Sequence, residues 1–203
     1  MFKAILTPIL SFLVLAGCVS LPITEKPTQP PLAPAVRIRT LSHIQTFELA
    51  GVLAIRTPHE AGSLHWQWLQ KGPHRYTMTL QGPLGTGAVR LEGCPHKIML
   101  QKADGKKIFA ANPDQLLLQE TGWQLPVSGF YYWVRSLPVP GLTAQKTNDA
   151  QNRLRQLKQA GWTIQYLHYV NVNGLDLPDS MSLTTPSVSL KVAVSRWTSV
   201  RIK

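Results

Sequence analysis

Side chains able to do chemistry are few in this chain and poorly grouped. His59-Glu60-Ala61-Gly62-Ser63 begins like the helical motif that grips zinc through two histidines one turn apart. Ser63 stands where the second histidine belongs, and one imidazole with one carboxylate does not make a zinc site. Gly82-Pro83-Leu84-Gly85-Thr86-Gly87 is glycine-rich, but it lacks the Lys-Ser/Thr that holds a phosphate and leads into a strand rather than a helix. No G-x-S-x-G turn offers a nucleophile. The histidines are scattered singly, and no two carboxylates stand out for acid–base work. Cys94, in Glu92-Gly93-Cys94-Pro95, reads as a structural or tolerated thiol, since a reactive one needs a base or cation beside it in space. These residues predict neither catalysis nor a metal or other cofactor.

The other cysteine closes the first apolar run. A basic start at Lys3, a short apolar stretch from Ala4, and the small residues Ala16-Gly17 form a secretory signal. Leu15-Ala16-Gly17-Cys18 resembles a bacterial lipobox, in which the cysteine thiol is acylated and becomes the new N-terminus. More than one acyl chain, at about 0.8 kcal/mol per buried CH₂, anchors a protein stably. A plain cleaved signal or a short membrane anchor are the other readings, but the run is broken by Pro8 and is short for a span. An acylated Cys18 leaves Cys94 with no intrachain partner. Val19 follows, where in this pattern an Asp typically retains a lipoprotein in the inner membrane. The pattern therefore points to the outer membrane, with the domain in the periplasm.

The chain has 203 residues, a single-domain length, and a net charge of +11. Such a balance suits nucleic acid, lipid head groups or acidic proteins, and a periplasmic address removes the first. The expected organisation is a lipoprotein signal peptide over 1–17, a lipidated N-terminus and Pro-rich linker over 18–35, and a folded domain over 36–203.

The domain opens with a weak helix candidate over 36–46, with Leu41 and Ile44 on one side. The apolar period then becomes two. Phe47, Leu49, Gly51, Leu53 and Ile55 share a face, as do Leu64, Trp66 and Trp68, then Tyr76, Met78 and Leu80. Val89 with Leu91 and Ile98 with Leu100 continue the pattern, and each run ends at a turn signal. This reads as an antiparallel meander, with Asp104-Gly105 a strong hairpin signal. Asn112-Pro113-Asp114 starts a short helix that Gly122 closes. Val127, Phe130, Tyr131 and Val134 then form the stripe of a second. Strands return over 153–159 and 163–170, around Ala160-Gly161, and then over 180–185. A last run alternates through Val188, Leu190, Val192 and Val194.

The sum is about nine to eleven strands with two or three short helices between them, a mainly β (α+β) domain. An antiparallel sheet with one apolar face needs a cover, and the helices supply it. Such a curved sheet either encloses a greasy cavity or packs into a filled core, and the pattern leaves both open. Leu84, alone between Pro83 and Gly85 at a loop tip, is open in the same way: it folds back into the core or points out to a membrane or partner.

Several segments, taken in order, resemble the outer-membrane lipoprotein receptor family LolB. They are Phe47–Ile55, Trp68, Tyr76 through Gly82-Pro83-Leu84-Gly85, and Gly122-Trp123-Gln124-Leu125-Pro126. Trp133 with Leu137-Pro138, Gly161-Trp162 and the strand Val188–Trp197 complete the set. The likeness runs from about Leu41 to Trp197. Val52 departs from it, standing where many relatives carry a basic residue.

The resemblance implies an incomplete antiparallel barrel lidded by helices around a hydrophobic cavity. It implies a monomer that takes acylated lipoproteins from the periplasmic carrier LolA. The monomer then inserts them, without ATP, into the inner leaflet of the outer membrane. The acyl chains of the cargo and outer-membrane phospholipids would be its other partners, and nucleic acid would not be one. The family's exposed loop leucine carries over onto Leu84, which turns the open question there outward. The expected cavity wall is Trp66, Trp68, Tyr76, Met78 and Leu80 from strands, with Leu116, Leu117, Val127, Phe130, Tyr131 and Trp133 from the lid. Many of these also suit an ordinary core. Lys97, Lys102, Lys106 and Lys107 either face head groups or the carrier, or line a solvated strand face. A structural or assembly lipoprotein with a protein-binding surface is the competing reading, and a lipid-modifying enzyme a more distant one.

Overall fold

In the computed structural model the described residues are 32–94 and 97–202. Cys18 and the whole signal and lipobox reading lie outside them. One compact unit spans Pro31–Lys203. It starts with α1 (Pro34–Ser42), followed by β1 (Ile44–Arg56), β2 (Ala61–Lys71) and β3 (Tyr76–Gln81). A single turn of 3₁₀ helix at Pro83–Gly85 leads to β4 (Val89–Cys94), β5 (Lys97–Lys102) and β6 (Lys107–Ala110). Two short helices follow, α2 (Pro113–Thr121) and α3 (Val127–Trp133). The chain closes with β7 (Ala144–Asn148), β8 (Leu154–Gln159), β9 (Trp162–Val172), β10 (Leu175–Thr184) and β11 (Ser189–Ile202).

All strands belong to one curved antiparallel sheet, ordered β6-β5-β4-β3-β2-β1-β11-β10-β9-β8-β7. Two meanders are thus zipped together by β1 against β11, the first and last strands. The free edges are β6 and β7, and the chain between them carries α2 and α3. That connection must pass from one edge of the sheet to the other, so the helices cover its apolar face. Alternation holds as expected: Phe47, Leu49 and Leu53 of β1 are buried with Leu64, Trp66 and Trp68 of β2. The close β1–β11 approach needs Gly51, where a Cβ would collide with the Ala193 carbonyl oxygen. The register also shifts between Ala50 and Gly51.

The helix caps behave as their residues dictate. Asn112 Oδ1 accepts from the backbone N–H groups of Asp114 and Gln115, and Gly122 ends α2 in the left-handed conformation. Ala160 and Gly161, both at positive φ, make the tight β8–β9 turn.

Several boundaries differ from the sequence expectation. α1 begins at Pro34, inside the stretch read as linker, and ends before Ile44, which belongs to β1. The His43 N–H bonds back to Arg39 and Thr40, and extended alternation takes over at Ile44. β7 went unpredicted, because Ala144-Gln145-Lys146-Thr147-Asn148 is an exposed edge strand with no buried face to pattern it. β10 starts at Leu175 instead of residue 180: Pro178 hides its first half, sitting beside a register shift that tolerates the missing N–H.

Candidate functional site

The inner face of β2, β3, β4 and β5 is a lattice of paired apolar side chains. Trp66 lies opposite Leu80, Trp68 opposite Met78, Met78 opposite Leu91, and Leu91 opposite Leu100. From the lid, Leu116 and Leu117 of α2 and Val127, Phe130 and Trp133 of α3 are buried against the same cluster. Trp66 is 5.7 Å from Phe130 between ring centroids and 6.2 Å from Trp68. Tyr76, half-buried, closes the row 5.8 Å from Trp68. Burial, helped by the negative charge of Asp114, raises its phenol above the ordinary value. Tyr131 is half-buried and stacks on Phe47 at 6.4 Å. The structure therefore brings every cavity-wall candidate to one face, packed side chain against side chain.

Hollows of about 350 Å³ lie elsewhere. One is bordered by Tyr76, Met99 and Phe109 on the β3–β6 side, the other by α1 and β7. Only Tyr76 among the candidates borders either. The Trp66 indole N–H is buried without a hydrogen-bond partner.

The lid is tied down by polar groups that sequence reasoning missed. Arg135, just after α3, donates from Nη1 to the Ile44 carbonyl at 2.6 Å and from Nε to the Tyr131 carbonyl at 2.8 Å. Its guanidinium lies 3.9 Å from the Tyr131 ring centroid. Burial lowers its pKa, with the two neighbouring tyrosines opposing. Buried Gln159 accepts from the Trp133 indole at 3.1 Å, and the Trp133 carbonyl accepts from Tyr166 Oη at 3.1 Å. Asp114 Oδ1 joins the two lid helices by accepting from Ser128 N–H at 2.9 Å and Ser128 Oγ at 3.1 Å. Burial raises the Asp114 pKa, opposed by the Ser128 and Val127 hydrogen bonds. Lys102, read from sequence as facing head groups or the carrier or as lining a solvated strand face, is paired with Glu120 of α2 at 2.7 Å. Lys97 lies 3.9 Å from the centroid of the Phe109 ring.

Leu84 stands apart from this cluster, on the β3–β4 turn. It is fully exposed, at 103% of its reference area, with φ +56° and ψ +22°. That left-handed conformation disfavours any residue with a side chain. The turn enforces it: Gly82 N–H donates to Thr86 O at 2.9 Å and Thr86 Oγ1 donates to Pro83 O at 2.9 Å. No force of the fold draws the side chain inward.

Fold and site together define a class: a lidded antiparallel half-barrel with an aromatic inner face and an exposed leucine at its rim. Solved structures of this shape include a LolA superfamily protein from Nitrosomonas europaea (TM-score 0.57, 10% identity, covering 85% of this chain and 95% of that one). Another is a DUF1329 family protein from Desulfovibrio piger (TM-score 0.53, 8% identity, covering 84% and 90%). At such identity the likeness shows the fold alone. The family described as "Outer membrane lipoprotein LolB" matches residues 45–197. An outer-membrane lipoprotein LolB of Pseudomonas putida is 40% identical over 157 residues, 77% of this chain and 76% of the relative. One of Stutzerimonas stutzeri is 36% identical over 200 residues, 97% of this chain and 96% of the relative. The chain belongs to the LolB family of outer-membrane lipoproteins, and with it to lipoprotein localisation at the outer membrane. No helix among the described residues is long and apolar enough to cross a membrane.

Proposed function

We propose that this protein, anchored through acylated Cys18, receives acylated lipoproteins from the carrier LolA between its sheet and lid. It then releases them into the inner leaflet of the outer membrane. The observation that carries the reading is the pairing of a continuous aromatic inner face with a fully exposed, strained Leu84 at the rim. A long acyl chain gains on the order of 10 kcal/mol on leaving water, at about 0.8 kcal/mol per CH₂, so it needs an apolar escort between membranes. Trp66, Trp68, Met78, Leu80 and the lid side chains offer that surface without covalent chemistry. Leu84 meets the lipids at release. No nucleotide is required where each acceptor holds the cargo more tightly than the donor before it.

The test is transfer of a triacylated lipoprotein from purified LolA to the mature chain carrying Cys18→Ala, without ATP. Cargo is expected to move onto this chain and then into added vesicles. Cargo that stays on the carrier, with the acceptor shown to be folded, would favour a structural or assembly lipoprotein instead.

A further inference from the structure

The rim that carries Leu84 has a second apolar point on its other side. β3 ends at that rim and β4 begins there, so antiparallel pairing also brings the start of β7 and the end of β8 to it. The loop between α3 and β7 contains Leu142, 51% exposed. Its backbone is fixed. Gln159 Nε2 donates to the carbonyls of Val139 at 3.0 Å and Leu142 at 3.2 Å, while Gln159 Oε1 accepts from Val139 N–H at 2.8 Å. Leu142 is thus held out in water by the same buried amide that anchors Trp133.

The neighbours of both leucines suit an interface. Half-buried Trp162 starts β9 at this rim, 6.5 Å from Trp133. Half-buried Trp123 lies beside the Leu84 turn, 3.9 Å from where a Cβ on Gly87 would be. Bilayer surfaces favour indoles placed in this way. Arg56, Lys106, Lys107 and Lys158 sit at strand ends on the same rim, and none of them is in an ion pair among the described residues. The acids there are Glu60, Asp104, which accepts from the Lys106 backbone N–H, and Glu120, which is paired with Lys102.

We infer that this whole rim is a phospholipid-contacting surface and that Leu142 is its second insertion point. Leu84 alone leaves the domain free to tilt, whereas two points on different sides of the mouth set it flat on a bilayer. Separated leucines with rim indoles and unpaired cations match phosphate-bearing lipid, while a protein partner calls for a contiguous apolar centre. The inference rests on the proposed release step, but it is measured without cargo.

The experiment is co-sedimentation of the unloaded mature chain, Cys18→Ala, with phosphatidylethanolamine–phosphatidylglycerol vesicles. Leu142→Glu is expected to weaken partition about tenfold, as is Leu84→Glu. Leu167→Glu, at a leucine 60% exposed on the outer face of β9, is expected to leave it unchanged. All three should melt like the parent and take cargo from LolA at its rate. Parental vesicle binding by Leu142→Glu would overturn the inference. So would a variant that binds vesicles but no longer takes cargo, since Leu142 would then face the carrier. Vesicle binding by a parent chain that takes no cargo would overturn the proposed function and leave the rim as a lipid surface.

Discussion

Strain and exposure coincide at Leu84, and a substitution can separate them. Its left-handed backbone costs about 1–2 kcal/mol for a residue with a side chain. Its full exposure returns nothing to the core. Leu84→Gly removes the strain but frees the unfolded chain, at a cost of about 0.5–1 kcal/mol. The balance is a gain of about 0–1.5 kcal/mol, read as a melting temperature up to roughly 3–6 °C higher. The same change deletes a side chain whose burial in lipid is worth about 1.5–3 kcal/mol, or roughly ten- to a hundredfold in partition. The Gly variant should therefore melt at or above the parent and accept cargo from LolA at the parental rate. It should deliver that cargo into vesicles at least about ten times more slowly. Calorimetry and transfer of a labelled lipoprotein read the two effects separately. Leu84→Glu keeps the strain and loses delivery, so it should melt like the parent. A Gly variant that melts several degrees lower would mean that the Leu84 side chain supports the fold. One that delivers as fast as the parent would refute its role at the membrane.

Two ties of the lid give further tests. Arg135→Met leaves the Ile44 and Tyr131 carbonyls without their donors and should cost about 2–4 kcal/mol in a urea melt; a loss below about 1 kcal/mol would mean that water replaces the guanidinium. Asp114 has a folded pKa above its ordinary 3.8, so the folded protein holds its proton more firmly than the unfolded chain. Its contribution to stability therefore falls as pH rises from the ordinary carboxylate value through the raised one, and returns on acidification. Asp114→Asn keeps an acceptor for Ser128 and removes that titration. Its stability relative to the parent should be most favourable at pH 7 and decline towards pH 4, and a difference that does not change with pH would contradict the burial argument.

Most of the fold was legible because the sheet buries one face, and burial writes period two into β1–β5 and the first part of β11. α2 was legible through its cap residues. β7 and the first half of β10 were not, since an exposed edge carries no alternation and Pro178 mimics a break. The β1–β11 pairing has no local signal at all, because it joins the two ends of the domain. The apolar candidates could be named from sequence, since the residues that face a lid are the ones that alternate. Arg135 and Gln159 could not: each is buried where backbone groups distant in sequence come to meet it. Glycines around Leu84 announce a turn, but a leucine at positive φ leaves no mark in the sequence.

On the proposed function, cargo at this face would replace contacts that already exist. Phe47, Trp66, Trp68 and Phe130 are already in ring contact, so an acyl chain entering between sheet and lid displaces apolar contacts of a similar kind. The net gain is the dehydration of the chain itself, less the opening of a lid held by Arg135, Gln159, Asp114–Ser128 and Lys102–Glu120. A bilayer offers the same dehydration with no lid to open. On the proposed function, cargo would therefore be held more tightly here than in water and less tightly than in the membrane. Transfer would then run in one direction without a nucleotide, with the ties that close the empty face driving the cargo onward.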